Sequence, residues 1–252
     1  VAGVPPDYFA ANGQLWGNPQ YNWEAMKAEN YAWWKRRFQK LREQVDIIRI
    51  DHFRAFESYW SIDSKAETAI NGHWIKGPGK PFFDEIEREL GTLDIVAEDL
   101  GIITADVERL RDECGFPGMK IVQFLLAPNE SGRVGFTVPE NSIVYTGTHD
   151  NNTTVGWFKH DIDEVLRETL ANITGTTSDR PRTICKRLIK KAYASRARIA
   201  IIPMQDLLAL DERARMNTPG TVGINWRWSL KKDYLLELDP KKLQALCMRY
   251  HR

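Results

Sequence analysis

Asp51, Glu98 and Asp150 each close a short apolar run with the composition of a β-strand. The segments are Ile47-Ile48-Arg49-Ile50-Asp51-His52, Asp94-Ile95-Val96-Ala97-Glu98-Asp99 and Ile143-Val144-Tyr145-Thr146-Gly147-Thr148-His149-Asp150. Carboxylates gathered at the carboxyl ends of parallel strands let a barrel build one site from distant stretches of sequence. If the three converge, the chemistry that suits them is cleavage of a glycosidic bond. That reaction needs an acid to protonate the leaving oxygen and a second carboxylate to capture the oxocarbenium-like carbon, with retention when the two lie about 5–5.5 Å apart. Asp51 reads as the nucleophile, because Arg49, two positions earlier, faces the same side of the strand and can pair with it. Glu98 reads as the acid/base. It must start protonated, so burial and neighbouring carboxylates should raise its pKa. Asp150 would bind sugar hydroxyls and distort the ring, with His149 as a second donor. A lone strand-end carboxylate is usually a cap or an ion-pair partner. Three, two of them with Arg or His close by, are a stronger signal.

The aromatics point the same way. The chain has nine Trp, and sugar rings present apolar CH faces that stack on aromatic side chains. Trp33 and Trp34 fall in a helical pattern and read as core packing. Tyr8, Phe9, Trp16, Trp74 and Trp226 fall in loops and are candidates for substrate platforms.

These side chains need a frame. Asn22 can cap a helix over 23–45, with Trp34, Phe38, Leu41 and Val45 on its buried face. The spacing predicts a helix over 82–90 ending at Gly91, and a short helix around 105–113. Two further helices are expected. One opens at Asp161 with Glu164 and runs to about Ile173; the other has Pro181 in its first turn and runs to about Arg196. A terminal helix over 241–250 completes the set. Strands are expected at 47–50, 95–97, 119–125, 143–146 and 199–204, while 1–22 and the stretch through 71–79 read as long loops. Five strands separated by helices describe an α/β protein with a parallel sheet. No Gly-x-Gly-x-x-Gly or Gly-Lys-Ser/Thr phosphate loop is present, and the candidate residues follow several different strands. That distribution favours a (β/α)8 barrel of the TIM type over a doubly wound sheet.

The whole chain sets bounds. Its 252 residues carry 35 Lys plus Arg against 34 Asp plus Glu, a net charge of +1. Such balance argues against binding nucleic acid or an anionic membrane through bulk charge. The basic run Lys186-Arg187 to Lys190-Lys191 reads as an exposed helix face, and His160 and His251 as solvated. No apolar run has the length of a membrane span. Cys114, Cys185 and Cys247 are odd in number and widely separated, which favours reduced thiols and a cytoplasmic setting. The histidines lack metal-ligand spacing, so no metal and no cofactor is expected.

Arg49-Ile50-Asp51-His52-Phe53-Arg54, Ala97-Glu98-Asp99-Leu100-Gly101 and Thr148-His149-Asp150-Asn151 together resemble the catalytic segments of the amylomaltase family. These are 4-alpha-glucanotransferases, or disproportionating enzymes, of the alpha-amylase superfamily. Gly3-Val4-Pro5-Pro6-Asp7-Tyr8-Phe9 with Gln14-Leu15-Trp16-Gly17-Asn18-Pro19 resembles that family's acceptor-side loop. Ala214-Arg215-Met216-Asn217-Thr218-Pro219-Gly220, followed by Asn225-Trp226-Arg227-Trp228, resembles its C-terminal signature.

The resemblance implies a (β/α)8 barrel and transfer of glucan units between alpha-1,4-glucans and maltooligosaccharides, with retention. It implies Asp51 as nucleophile, Glu98 as acid/base, Asp150 as transition-state stabiliser, and no metal. Arg49, His149, Tyr8, Phe9, Trp16 and Asn217 are the expected substrate-binding residues. Two alternatives stay open: an alpha-glucan hydrolase, and a non-catalytic glucan-binding fragment. The setting implied is cytoplasmic, or plastidial in a plant.

The chain departs from the family pattern after the family's sixth strand. Where that pattern runs Phe-Ala-Phe-Asp and later Asn-Pro-Tyr-Leu-Pro-His-Asn, this chain has Phe124-Leu125-Leu126-Ala127 and Gly135-Phe136-Thr137-Val138-Pro139-Glu140-Asn141. Family members are also about twice this length. Residues 1–252 are therefore expected to be the C-terminal portion of a single catalytic barrel, holding about strands 4 to 8. The N-terminal half would then be missing or supplied as a partner, and the isolated piece would have little or no activity.

Overall fold

The structure, a computed structural model, describes residues 1–6, 10–127 and 135–252. It divides into two compact units, Val1–Met119 and Lys120–Arg252.

The first unit opens with β1 (Ala2–Val4) and β2 (Gln14–Leu15), then α1 (Trp23–Ala28) and α2 (Ala32–Arg42). It continues through β3 (Ile48–Ile50), β4 (Ser58–Ile62), β5 (Gly72–Lys76), α3 (Lys80–Leu90), β6 (Ile95–Ala97) and α4 (Ala105–Glu113). It ends within β7 (Gly118–Ile121). Two kinds of pairing coexist. β3 and β6 run parallel, in register from Ile48↔Ile95 to Ile50↔Ala97, and β7 joins β6 through Ala97↔Gly118. β6 is buried at all three positions, the pattern of a parallel strand covered on both faces.

The second kind is an antiparallel sheet in the order β2-β1-β4-β5. It occupies stretches that the sequence marks as loops. β1 and β2 are too short to display a period of two, and β5 begins Gly-His, residues poor in strand signal. Pairing supplies what local propensity lacks: Trp60 of β4 lies opposite Trp74 of β5, with ring centroids 5.1 Å apart.

The helix expected over 23–45 is two helices. The backbone breaks at Asn30 and Tyr31, both with left-handed φ near +50°. The Tyr31 amide donates back to the Met26 carbonyl at 2.7 Å, and the Tyr31 ring is buried edge-on against Phe82. Burial of this ring offsets the strain of the turn. Trp34 and Phe38 are buried as expected, whereas Val45 lies beyond the end of α2 and is exposed. α3 stops where expected, at Gly91 with φ +75°, whose amide bonds to the Glu87 carbonyl at 2.8 Å. Only glycine takes that conformation without a steric penalty. The core beneath these elements is largely aromatic, built around Trp34, Phe38, Phe53, Phe56, Phe82 and Phe83.

The second unit completes β7 and adds α5 (Val122–Leu125), β8 (Ser142–Tyr145), α6 (Thr154–His160), α7 (Glu164–Thr174) and α8 (Pro181–Tyr193). β9 (Ile199–Ile201), α9 (Met204–Leu207), α10 (Lys232–Glu237) and α11 (Pro240–Arg249) follow. β8 and β9 are parallel, from Ile143↔Ile199 to Tyr145↔Ile201. The five parallel strands follow the order β3-β6-β7-β8-β9.

The run Met119–Leu125 reads as one strand in sequence but turns helical at Val122. α7 is capped by Asp163 rather than Asp161; the Asp163 carboxylate accepts from the Leu166 amide at 2.8 Å. Asp161 instead accepts from Asn152 at 2.9 Å. Pro181 opens α8. Val122, Val144, Trp157, Leu170, Ile184 and Leu188 form the center of this unit's core. Among the described residues no helix is long and apolar enough to cross a membrane.

Candidate active site

Asp51 and Glu98 are built by strand register. Ile50 pairs with Ala97 in parallel strands, so the next residue on each strand stands at the same level. Parallel neighbours are spaced roughly 4.8 Å apart. The ladder continues through the acids: the Glu98 amide donates to the Ile50 carbonyl at 2.9 Å, and the Phe53 amide donates to the Glu98 carbonyl at 3.0 Å. Immediately after Asp51 the chain turns, with His52 at φ +48°. That turn aims the His52 amide at the Glu98 carboxylate.

The two carboxylates sit in different surroundings. Asp51 is exposed, and its Oδ1 accepts from Arg49 Nη2 at 2.7 Å. Arg49 Nε also reaches Met119 Sδ at 3.3 Å, which fixes the guanidinium beside the acid. Glu98 is held by two backbone amides, His52 to Oε2 at 2.7 Å and Leu100 to Oε1 at 2.9 Å. Burial pushes the Glu98 pKa up, and the Asp51 charge adds to the rise; the two amide bonds and Arg49 oppose it, and the net direction is upward. A carboxyl biased toward its protonated form beside an exposed carboxylate is the pairing an acid and a nucleophile require. His52 is depressed to about 4 by burial and then by Arg54, with Asp51 opposing; its ring is neutral near pH 7.

Asp99, next to the acid, has a structural task. Its Oδ2 accepts from Arg111 at 2.5 Å and its Oδ1 from the Met119 amide at 2.7 Å. Gly118 makes this possible, since a Cβ there would stand 2.5 Å from the Asp99 carboxylate.

In the second unit, Asp150 lies on the loop between β8 and α6 and is held from several sides. Asn217 Nδ2 donates to its Oδ1 at 2.6 Å, Arg215 donates to its carbonyl at 2.7 Å, and His149 Nε2 lies 3.3 Å from its Oδ2. The Asn217 amide bonds the His149 carbonyl at 3.0 Å. Trp226, 61% exposed, lies over the His149 ring at 5.2 Å. Asp150, His149 and Asn217 thus form one cluster, to which Arg215 and Trp226 belong.

The loop carrying Asp150 is pinned at both ends by a residue that sequence reasoning missed. The buried Asp206 carboxylate accepts from Thr146 Oγ1 at 2.5 Å, Thr154 Oγ1 at 2.7 Å and the Thr154 amide at 2.8 Å. Burial raises its pKa against these three donors. The available signal was a lone acid within the apolar stretch Met204–Leu208, since an unpaired carboxylate rarely enters a core.

Of the expected aromatic platforms, Trp16 meets the His52 ring edge-on at 4.8 Å and so borders the Asp51 corner. Trp74 has Arg54 over its ring at 3.9 Å, which occupies one face. Tyr8 and Phe9 lie outside the described residues. Among the described residues no group of three or more His, Cys, Asp or Glu is arranged to hold a metal ion.

A family model described as 4-alpha-glucanotransferase matches residues 1–235. The 4-alpha-glucanotransferase of Streptococcus pneumoniae is 47% identical over 253 residues, 100% of this chain and 50% of that protein. The enzyme of that name from Synechocystis sp. is 48% identical over 241 residues, 93% of this chain and 46% of its own length. The solved amylomaltase of Streptococcus agalactiae, in complex with acarbose, superposes with a TM-score of 0.92 at 38% identity, covering 100% of this chain and 51% of that one. The chain spans about half the length of the curated relatives it matches. Its five parallel strands and intervening helices are part of a (β/α)8 barrel.

Proposed function

The chain belongs to the 4-alpha-glucanotransferase family, glycoside hydrolase family 77, and from that premise we propose the reaction of the whole protein. It moves alpha-1,4-glucan segments to the 4-hydroxyl of glucose or of another glucan by a retaining double displacement. This chain supplies the C-terminal portion of the single catalytic barrel. The observation that carries the reading is the level pairing of Asp51 and Glu98 on β3 and β6, one exposed and the other buried with a raised pKa.

In the first step Asp51 Oδ attacks the anomeric carbon while Glu98 gives its proton to the departing glycosidic oxygen. Each Glu98 oxygen receives one backbone amide, which leaves a second lone-pair direction on each for the travelling proton. In the second step Glu98, now ionised, takes the proton of the acceptor hydroxyl, and that oxygen displaces Asp51 from the anomeric carbon. Asp150, with His149 and Asn217, holds sugar hydroxyls and favours the distorted ring of the transition state. Arg49 keeps the Asp51 carboxylate in place. Trp16 supports an apolar ring face near Asp51, and the resemblance of their segment to the family's acceptor-side loop assigns Tyr8 and Phe9 to sugar binding.

Maltooligosaccharides and alpha-1,4-glucans are the proposed partners. The three free cysteines support a reducing compartment, the cytoplasm or, in a plant, the plastid. Incubating the whole protein with maltotriose tests the reading. Longer oligosaccharides appearing together with glucose are expected. Shortening alone would move the assignment to a hydrolase. Binding of acarbose, the ligand of the Streptococcus agalactiae relative, without any turnover would leave only a binding role.

A further inference from the structure

The second unit holds a cavity of about 690 Å³ that none of the proposed catalytic or sugar-binding residues lines. Its size lies within the ordinary range for small-molecule sites. Helix geometry builds one wall: Val155 and Lys159, four apart on α6, share a face. The first turn of α8, with Pro181 and Arg182, forms another. The segment from Arg227 to Lys231 and Tyr234 of α10 close the third side.

The lining is strongly cationic. Lys159, Arg182, Arg213, Arg227 and Lys231 face a single lining carboxylate, Asp211. That carboxylate is already committed: Arg213 forks onto it with contacts of 2.8, 3.0 and 3.2 Å. Lys159 has Glu212 at 3.8 Å. Arg182, Arg227 and Lys231 have no carboxylate within ion-pair reach among the described residues. The N-terminus of α8 adds to their field. Its capping residue, Arg180, makes no side-chain cap bond, and Pro181 removes one of the free amides. The positive end of a helix of 13 residues therefore opens beside Arg182.

Arg182, Arg227 and Lys231 are solvent-exposed in this concavity, and a bound anion would pair with them where a neutral glucan would not. The aromatic lining narrows the choice further. Trp228 and Tyr234 border the same cavity, and an aromatic face suits the CH face of a sugar ring. An extended nucleic acid is a poor match, because the charge is gathered in one concavity while the chain as a whole is near neutral.

We infer that this cavity binds the phosphate ester of a sugar, with Arg182, Arg227 and Lys231 on the phosphate and Trp228 and Tyr234 against the ring. A phosphorylated sugar bound here is a ligand distinct from the glucan undergoing transfer, and it stands whether or not the transfer reading holds.

Isothermal titration of the whole protein with glucose 1-phosphate, inorganic phosphate and glucose, each alone, tests it. The ester should bind saturably, at least tenfold tighter than inorganic phosphate, and glucose should not compete with it. The double variant R182Q/K231Q should lose at least tenfold in affinity for the ester while its acarbose affinity, measured alongside as a fold control, stays unchanged. Y234A, a milder change, should weaken the ester but not inorganic phosphate. Absence of saturable ester binding would overturn the site, as would unchanged ester affinity in the double variant. Equal affinities for ester and inorganic phosphate would overturn the assignment of a sugar ligand.

Discussion

The amide of His52, the residue that follows Asp51, donates to the carboxylate of Glu98 at 2.7 Å. The turn that ends the strand of one acid thereby holds the other. Because both acids hang from neighbouring parallel strands at one level, neither can move along its strand without breaking the ladder that positions its partner.

Asp51→Asn and Glu98→Gln should behave differently toward an activated donor. With maltotriose both are expected to lose about three orders of magnitude or more in kcat, the scale of general acid–base and covalent catalysis. With an alpha-maltosyl fluoride, whose leaving group needs no proton, Glu98→Gln should form the glycosyl-enzyme and Asp51→Asn should not. Mass spectrometry of the quenched protein reads the outcome. Labelling in Asp51→Asn would reassign the nucleophile.

Glu98 also makes a prediction about stability. Its folded pKa is raised above the ordinary value of a glutamate, chiefly by burial, so the native state holds its proton more tightly than the unfolded state does. Its favourable contribution is present below the ordinary carboxylate range and is lost as pH rises through the raised pKa. The Glu98→Gln side chain would keep one acceptor oxygen for the two amides that Glu98 receives, so the test is the pH dependence: relative to wild type, the Tm of Glu98→Gln should rise from acid to neutral pH. A difference that does not change with pH would contradict this.

His52 acts at the other end of the scale. Its folded pKa is lowered to about 4, so its contribution is present above its unfolded value near 6.5 and is lost as pH falls toward 4. Thermal denaturation from pH 7 to pH 4 should show less acid destabilisation in His52→Gln than in wild type. Parallel curves would remove His52 from the account.

Asp206→Ala should cost roughly 2–3 kcal/mol, because Thr146 and Thr154 are left with buried donors lacking an acceptor. Asp206→Asn keeps the shape and should cost less. Chemical denaturation measures both. If the pinning of the 146–154 segment also positions Asp150, then kcat should fall in Asp206→Asn with little change in KM.

Asn217→Ala removes the 2.6 Å bond to Asp150 without touching the core. Activity should fall by roughly tenfold to a hundredfold while Tm moves by no more than a few degrees. An effect confined to Tm would make Asn217 a purely structural residue.

Much of this frame was legible in the residues. An apolar run of three or four residues ending in an acid is local information, and it locates Asp51 after β3 and Glu98 after β6. Gly91 and Pro181 mark helix ends by their own backbone limits. Local signals ran out where pairing decides. The strands β4 and β5 contain Tyr59, Trp60, Trp74 and Ile75, residues that suit a strand, but which segment they pair with is set only by the ladder that puts Trp60 opposite Trp74. The break at Asn30 and Tyr31 is favoured by the burial of Tyr31 against Phe82, more than 50 residues away.

By itself, then, the sequence determined the chemical types at the strand ends and suggested the roles proposed for them, because side-chain identity and short spacing are local. The tertiary structure alone decided which acid is buried and which is exposed. The pKa of Glu98 depends on burial, on the His52 amide brought to it from 46 positions away and on the charges of Asp51 and Arg49 beside it, and the loop of Asp150 is held by a carboxylate that lies 52 positions beyond Thr154. Desolvation and hydrogen bonding at such separations arise only when the chain has folded, so no local pattern could carry them.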